Sequence, residues 1–292
     1  MKPVASLVAL LLLGGCASHL NPPDQTIHFE ETDWHMQQQV RYSPEDWPQA
    51  LFADIYLPDD VQSAPAVLLV HGGGWEGRSR DDMDSIAETL ASRGFAVMNI
   101  DYRFAPAYRF PAQLHDLQQA MHWLHRQSTK LNIDTRRIGA FGYSSGAHLV
   151  SLLALVASEG GPLDSPYGGP ETRPVAVVAG GTPSDLRKFG DGKLVEQFLG
   201  GTIETHPDAY TAASPVTHIT ADAPPFFLYH GAWDSLVPTD HATDFQAALA
   251  AKGIPTEMEI LRLRGHITTF LFSGSAIDDG IQFLGRQMGM GD

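Results

Sequence analysis

The sequence predicts an α/β fold in which a doubly wound, mostly parallel sheet carries helices on both faces. Strand-like and helix-like segments alternate from Gln49 onward, a pattern typical of parallel sheets with crossover helices. The chain has 292 residues, 43% of them hydrophobic, so this layered core can be buried without disulfides or metal ions. We therefore predict a single domain over residues 49–292, in which two irregular segments, 158–173 and 183–213, form a small cap or rim.

The first residues of the chain have the pattern of a targeting signal. Met1 and Lys2 precede an apolar run over 4–13, which is too short to cross a bilayer because a crossing needs about 20 residues. The run ends in Leu-Gly-Gly-Cys at 13–16, which resembles the signal and lipobox of bacterial lipoproteins. The resemblance implies that residues 1–15 are a lipoprotein signal peptide and that Cys16 is lipidated. An ordinary secretory signal with a chance cysteine is the alternative.

Lipid chains on Cys16 would hold the protein at a membrane surface, with residues 16–48 as a tether and N-terminal edge segment. Ala17 follows the cysteine where Asp could stand, which resembles the outer-membrane sorting pattern. The expected location is therefore the bacterial cell envelope, lipid-anchored at the outer membrane and facing the periplasm. Because Cys16 is the sole cysteine, no intrachain disulfide is expected.

A candidate nucleophile lies in the pentapeptide 142–146, Gly-Tyr-Ser-Ser-Gly. A strand-like run precedes it and an apolar, helix-like stretch follows, which is the context of a GxSxG nucleophile elbow. The flanking glycines suit a strained turn because they accept positive φ and close packing. Ser144 is thus the predicted nucleophile. Ser145 is the alternative, but it lacks the central place between the two glycines.

A glycine-rich loop upstream can supply an oxyanion hole. The strand-like run 65–70 leads directly into His-Gly-Gly-Gly-Trp at 71–75, where glycine backbone without side chains can direct N–H groups at a negative oxygen. Gly73, Gly74 and the N–H of Ser145 are the predicted donors, and a plain glycine turn is the alternative. Trp75 and Tyr143 are the candidates for lining the substrate pocket, although a core role explains Trp75 equally well.

The acid and the base follow downstream at the ends of two further strand-like runs. Asp234 comes after the run 225–230, and His266 comes after the run 256–263. The resulting order is Ser, Asp, His, which differs from the orders of chymotrypsin-like and subtilisin-like enzymes. Asp240 is a weaker alternative acid because it opens a predicted helix, where acids are favoured anyway. The alternative bases, which packing explains better, are His148, His230 and His241.

These features together resemble the α/β-hydrolase fold, and within it esterases related to hormone-sensitive lipase, bacterial feruloyl and acetylxylan-type esterases, and kynurenine formamidases. The likeness covers residues 50–288 and includes Asp-Tyr-Arg-Phe-Ala-Pro at 101–106 and Ser-Pro-Val at 214–216. It implies a serine carboxylesterase that hydrolyses small to medium acyl esters through a Ser-His-Asp triad and an acyl-enzyme. A formamidase or amidase with the same triad is the alternative, and a non-catalytic envelope binding module is the third.

The expected partners are a small-molecule ester and a membrane surface. Thirteen histidines are present, but there is no HExxH motif and no cysteine pair, so we expect neither metal nor cofactor. The formal net charge of −15 disfavours nucleic acid, whose phosphates require a basic face. Arg103 and Asp116 are expected to be a structural pair that orders the loop beside the site. The oligomeric state is left open.

Overall fold

The computed structural model describes residues 17–23, 25–190 and 192–291. The predicted signal peptide, 1–15, and the predicted lipidation site, Cys16, lie outside these residues. The described strands form one sheet. The strands are β1 (Ala17–Leu20), β2 (Trp34–Arg41), β3 (Phe52–Pro58), β4 (Ala64–Val70), β5 (Ala96–Ile100), β6 (Ile133–Tyr143), β7 (Val177–Gly180), β8 (Phe226–Gly231) and β9 (Thr256–Leu261).

The sheet is parallel at its centre and antiparallel at its edges. The strand order is β1-β9-β8-β7-β6-β4-β5-β3-β2. Strands β4 to β9 run parallel, whereas β1 is antiparallel to β9, β3 to β5, and β2 to β3. Every residue of β4 is buried, as expected of a parallel strand that helices cover on both faces. The loops that follow β4, β6, β8 and β9 therefore meet at the carboxyl edge of the sheet.

Helices cover both faces of the sheet. The helices are α1 (Asp84–Ser92), α2 (Ala112–Leu131), α3 (Ser145–Glu159), α4 (Lys193–Leu199), α5 (Pro207–Ala212), α6 (Asp240–Ala251), α7 (His266–Leu271) and α8 (Ala276–Gln287). The apolar faces of α1 and α8 belong to one core cluster, and those of α2, α3 and α6 belong to the other. Residues 145–156 of α3 are all buried, so this helix is enclosed on every side and holds the end of β6 rigidly. Among the described residues, no helix combines the length and the apolar character that a bilayer crossing requires.

The two segments predicted for the rim differ in position. Residues of 183–213 form α4, α5 and a short 3-10 helix, and Phe189 and Leu194 from this segment line the carboxyl-edge cleft. Residues 158–173 instead pack against α2, where Gln118 donates to the carbonyl of Leu163 (3.0 Å) and His122 contacts the carbonyl of Tyr167 (3.0 Å). The cap is therefore small and comes from one segment.

The N-terminal segment contributes to both edges of the sheet. Within 16–48, β1 extends the sheet beyond β9, and β2 extends it at the opposite edge beyond β3. In the β1 pairing, Ala17 is opposite Leu261 and Leu20 is opposite Met258. The described chain thus begins at the carboxyl end of β9, the same edge to which the catalytic candidates belong.

Candidate active site

Ser144 lies on a strained turn between β6 and α3. Its backbone has φ 54° and ψ −121°, a region that a non-glycine residue enters only when surrounding structure enforces it. Its N–H donates to the carbonyl of Gly180 on β7 (2.8 Å), and its carbonyl accepts from His148 in the first turn of α3 (2.9 Å). A Cβ at Gly146 would collide with the backbone of β4, with the His71 carbonyl oxygen 2.5 Å away. The turn therefore requires this glycine and presents the serine at the carboxyl edge.

The structure brings Ser144, His266 and Asp234 together in one hydrogen-bonded series. Nε2 of His266 lies 2.8 Å from Oγ of Ser144, and Nδ1 lies 2.6 Å from Oδ2 of Asp234. Asp234 and His266 are each only 6% exposed. This arrangement allows the imidazole to accept the serine proton while the carboxylate holds the ring.

The environment of Asp234 keeps its side chain ionised and aligned. Oδ1 accepts hydrogen bonds from the N–H groups of Leu236 (3.0 Å) and Val237 (2.8 Å), which leaves Oδ2 for His266. Burial pushes the pKa of Asp234 upward, but hydrogen bonds from His230 and His266 outweigh it and hold the pKa well below its usual range. Asp234 therefore stays an acceptor at neutral pH.

The glycine loop after β4 has the geometry needed to expose backbone donors. Gly73 has φ 122°, Gly74 has φ 61°, and Trp75 also has a positive φ of 61°. Among the described residues, neither glycine donates its N–H to a hydrogen bond inside the protein. Ser145 is the first residue of α3, so its N–H has no acceptor within the helix. All three predicted oxyanion donors thus lie beside Ser144 with their N–H groups available.

The cleft has two lobes that meet at Ser144. One, which we call the histidine lobe, has a volume of about 390 Å³ and is lined by His266, Ile267, Phe270 and Leu271. The other, the oxyanion lobe, has a volume of about 480 Å³ and extends beyond Gly74 and Ser145. Its apolar lining comes from Trp75, Phe189, Leu194, Val195 and Val237. Both lobes include Gly73, Ser144 and Leu236.

Trp75 and Tyr143 each line one lobe and also hold part of the site in place. The Trp75 ring stacks on Phe198 (4.6 Å between ring centres), and its N–H donates to Nδ1 of His148 (3.2 Å). The Tyr143 hydroxyl donates to the backbone carbonyl of His266 (2.6 Å). Burial raises the pKa of Tyr143, so its hydroxyl keeps this proton. Trp75 therefore combines the pocket and the core roles that the sequence left open.

The alternative candidates lie outside the hydrogen-bonded series. Ser145 is buried, and its Oγ lies 3.2 Å from the hydroxyl of Tyr102. The Asp240 side chain is exposed and pairs with Lys188 (3.1 Å). His148 is fully buried and contacts the carbonyl of Ala213 through Nε2 (2.7 Å). None of these three side chains reaches Oγ of Ser144.

Two buried arginines form ion pairs that stabilise the loops around the cleft. Arg103 and Asp116 are hydrogen-bonded at 2.8 Å, and Asp116 also accepts from the Arg103 N–H (2.9 Å). Arg80 forms ion pairs with Asp54 and Asp101. Arg103 and Asp116 were predicted to be a structural pair, and their contact joins the segment after β5 to α2.

One group of potential metal ligands is present in the described part of the chain. Single donor atoms of His19, Glu259 and Asp279 lie within 4.8 Å of one another. They belong to β1, β9 and α8, and no residue of the catalytic candidates is among them.

Sequence reasoning missed several residues of the site. Leu194 and Phe189 come from a segment without regular periodicity, and only packing places them over the cleft. His230 was considered as a base, but its contact with the acid was not foreseen: Nε2 lies 3.3 Å from Oδ2 of Asp234. The available signal was the spacing of four residues across the turn that follows β8.

Comparison with solved structures places the chain in the α/β-hydrolase fold. A truncated carbohydrate esterase from gut microbiota has a TM-score of 0.78 at 22% identity, over 91% of this chain and 100% of that one. An esterase of Thermogutta terrifontis with bound butyrate has a TM-score of 0.71 at 23% identity, over 86% of this chain and 93% of that one. The predicted fold class is therefore confirmed.

Within this fold, the chain belongs to the BD-FAE family, whose model matches residues 53–249. Similar proteins in Mycobacterium tuberculosis include esterase LipC, 31% identical over 69% of this chain, and the probable carboxylic ester hydrolase LipM, 32% identical over 68%. The matches cover 53% of LipC and 49% of LipM, so the chain spans about half the length of these relatives.

Proposed function

We propose that the protein is a serine carboxylesterase that hydrolyses small to medium acyl esters. The observation that carries the proposal is the hydrogen-bonded series of Asp234, His266 and Ser144, which ends where two largely apolar lobes meet. The similar proteins LipC, an esterase, and LipM, a probable carboxylic ester hydrolase, support the same reaction class.

The reaction follows from the positions of the atoms. Oγ of Ser144 attacks the ester carbonyl carbon while its proton passes to Nε2 of His266, 2.8 Å away. The N–H groups of Gly73, Gly74 and Ser145 stabilise the negative oxygen, a contribution of roughly 3–4 kcal/mol per donor. The protonated imidazole then gives its proton to the leaving alcohol. Water, activated by the same histidine, attacks the acyl-enzyme and releases the acid.

The two lobes receive different parts of the ester. The leaving oxygen must lie near Nε2 of His266 to be protonated, so the alcohol occupies the histidine lobe. The acyl chain then extends into the oxyanion lobe, whose volume of about 480 Å³ and apolar lining suit a short or medium chain. Leu194 lies over this lobe, since its Cδ1 is 3.0 Å from the position of a Cβ at Gly74.

The proposal includes an anchored location: lipidation at Cys16 and residence at the outer membrane, facing the periplasm. The support is the signal-like pattern of residues 1–16, which directly precedes β1. Incorporation of labelled palmitate, followed by separation of membranes, tests it. Label in the wild type and none in Cys16→Ser is the expected result, and unlabelled wild-type protein in the soluble fraction would contradict it.

The activity is tested with the full chain in detergent against p-nitrophenyl acetate, butyrate and octanoate, with N-formylkynurenine in parallel. We expect Ser144→Ala to lose at least about 10⁴-fold in kcat, because the nucleophile is gone. Ser145→Ala is the matched control, since it keeps the backbone N–H and should retain activity. Leu194→Trp fills the oxyanion lobe and should remove octanoate turnover while acetate turnover persists.

The outcomes separate the alternatives. Preferred turnover of N-formylkynurenine would assign the site to amide hydrolysis instead. Folded protein that is inactive on all four substrates would contradict the enzymatic proposal and favour a binding module.

A further inference from the structure

Exposed apolar side chains are concentrated beside the catalytic cleft. Among the described residues, eight large apolar side chains are exposed, and six of them lie in two segments at the carboxyl edge of the sheet: the loop after β8, and residues 263–272, which include α7. We call these six the apolar rim: Trp233, Leu236, Leu263, Ile267, Leu271 and Phe272, each 54–67% exposed. The other two, Leu20 and Met36, are less exposed, at 40% and 36%. Scattered single apolar residues are ordinary on a surface, but a cluster marks an interaction site.

Contacts between the two segments make the rim continuous. The N–H of Trp233 donates to the carbonyl of Arg264 (2.8 Å), which brings Trp233 beside Leu263. The Arg264 guanidinium lies 6.0 Å from the centre of the Phe272 ring, and its Nε donates to the Phe272 carbonyl (3.2 Å). The remaining members, Leu236, Ile267 and Leu271, all line the histidine lobe. The rim therefore surrounds the cleft mouth on the side where the alcohol leaves.

The N-terminal end of β1 reaches the domain next to this rim. Because β1 is antiparallel to β9 and Ala17 is opposite Leu261, the start of β1 lies beside Arg262, one residue before Leu263. Arg262 also donates to Oγ of Ser18 (3.3 Å). Cys16 is the next residue toward the N-terminus, about 3.8 Å of chain away, and the apolar run 4–13 precedes it. An anchor on this segment would therefore attach the domain at the rim, without a long tether between them.

The charge of one of the two rim segments also differs from that of the whole protein. The segment 262–275 contains Arg262 and Arg264 and no acidic residue, although the chain carries a formal net charge of −15. Two arginines beside exposed Leu, Ile, Phe and Trp side chains match the boundary between anionic headgroups and acyl chains.

From these observations we propose that the apolar rim docks on the surface of the phospholipid bilayer that holds the N-terminus. The cleft mouth then opens onto the lipid–water interface, and the substrates are apolar esters that reach the site from that interface. The docking proposal rests on the anchored location proposed above. It does not require the esterase activity, so the two can fail separately.

Trp233 provides a direct reporter of docking. The full chain is reconstituted into vesicles of phosphatidylcholine and phosphatidylglycerol, with and without brominated acyl chains, which quench tryptophan on contact. Trp233 is 67% exposed, whereas Trp75 is 3% exposed. We expect brominated lipid to quench the wild type clearly more than Trp233→Phe. We also expect the vesicles to protect Trp233 from aqueous acrylamide.

A double variant and a matched control test the rim itself. Leu263→Gln with Phe272→Gln removes two rim side chains that do not line the cleft, and Met36→Gln changes an exposed apolar side chain on β2, at the opposite edge of the sheet. We expect the double variant to lose the quenching and to hydrolyse a long-chain ester in the vesicle about tenfold more slowly. The reason is that docking no longer gains free energy from burying these two apolar side chains in the bilayer. Turnover of soluble p-nitrophenyl butyrate should be unchanged in both variants.

Equal quenching in the wild type and in Trp233→Phe would overturn the proposal. Shielding of Trp233 from both brominated lipid and acrylamide would also overturn it, because a second copy or the chain's own N-terminal segment would then cover the rim. Quenching without turnover of p-nitrophenyl butyrate would retain the docking surface and refute the esterase. Turnover of p-nitrophenyl butyrate without quenching would retain the esterase and refute the docking surface.

Discussion

Asp234→Asn tests the proposed triad most sharply because it changes charge and hydrogen bonding but not shape. Oδ1 of Asp234 accepts from two backbone N–H groups at 3.0 and 2.8 Å, and only an oxygen can take that position. The Asn amide nitrogen must therefore replace Oδ2, which faces Nδ1 of His266 at 2.6 Å. An NH₂ group there donates to Nδ1 and moves the imidazole proton to Nε2. His266 then presents a proton to Ser144 and cannot accept one.

The expected magnitude follows from this reversed tautomer. The equivalent change in a protease triad lowers kcat by about 10⁴-fold with its geometry intact. At about 1.36 kcal/mol per factor of ten, this corresponds to roughly 5 kcal/mol of lost transition-state stabilisation. Asp234 lines neither lobe, so KM should change little. Both backbone hydrogen bonds persist, so we expect Tm to stay within about 5 °C.

The assay is p-nitrophenyl butyrate turnover, with Tm measured on the same preparation. Asp240→Asn is the matched control, since the exposed Asp240 pairs with Lys188 and should leave kcat unchanged. An Asp234→Asn enzyme that keeps more than about a tenth of wild-type kcat would refute this reasoning, as would an inactive Asp240→Asn.

Three further predictions concern stability, each measured by denaturant unfolding. Gly146→Ala should lower the free energy of unfolding by about 3 kcal/mol or more, because the added methyl group meets the rigid backbone of β4. The control Gly77→Ala should change this free energy little, since no atom lies within 4 Å of the new Cβ. Equal losses in the two variants would contradict the prediction. Asp116→Ala should cost about 3–5 kcal/mol because Arg103 would stay buried without its partner, and a loss below about 1 kcal/mol would contradict a structural pair. Burial lowers the pKa of His148 to about 4, so between pH 4 and the unfolded value of about 6.5 the unfolded chain binds the extra proton and stability falls as the pH falls. His148→Gln should make this pH slope shallower by on the order of 1 kcal/mol per unit, and an unchanged slope would show that His148 does not contribute.

The catalytic candidates were predictable because their signals are local. A strained turn after a buried strand needs small residues on both sides of the serine, and Gly142 and Gly146 are visible in the sequence at these two positions. The continuous apolar run of β4 likewise predicted a strand covered on both faces before the glycine loop. Asp234 and His266 could be proposed because each follows a strand-like run, β8 and β9 respectively.

The surroundings of the site were not predictable in the same way. His230 approaches Asp234 across a turn, and although their spacing of four residues is compatible with this contact, the sequence does not show which side chain a buried histidine contacts. Residues 158–173 interrupt the alternation of strands and helices in the sequence as residues 183–213 do, yet they pack against α2 and not over the cleft. Composition indicates an irregular segment, but the surface on which the segment packs depends on tertiary shape.

The sequence by itself determined the alternation of strands and helices, the elbow at Ser144 and the chain order of the three catalytic candidates, because short-range sterics and hydrophobic periodicity encode them. Only the tertiary structure decided how far apart the reacting atoms lie, which side chains line each lobe, and where the N-terminal strand joins the sheet. Ser144 and His266 are 122 residues apart in the chain but 2.8 Å apart at their reacting atoms. Such proximity depends on the packing of whole elements against one sheet, and no local pattern records it.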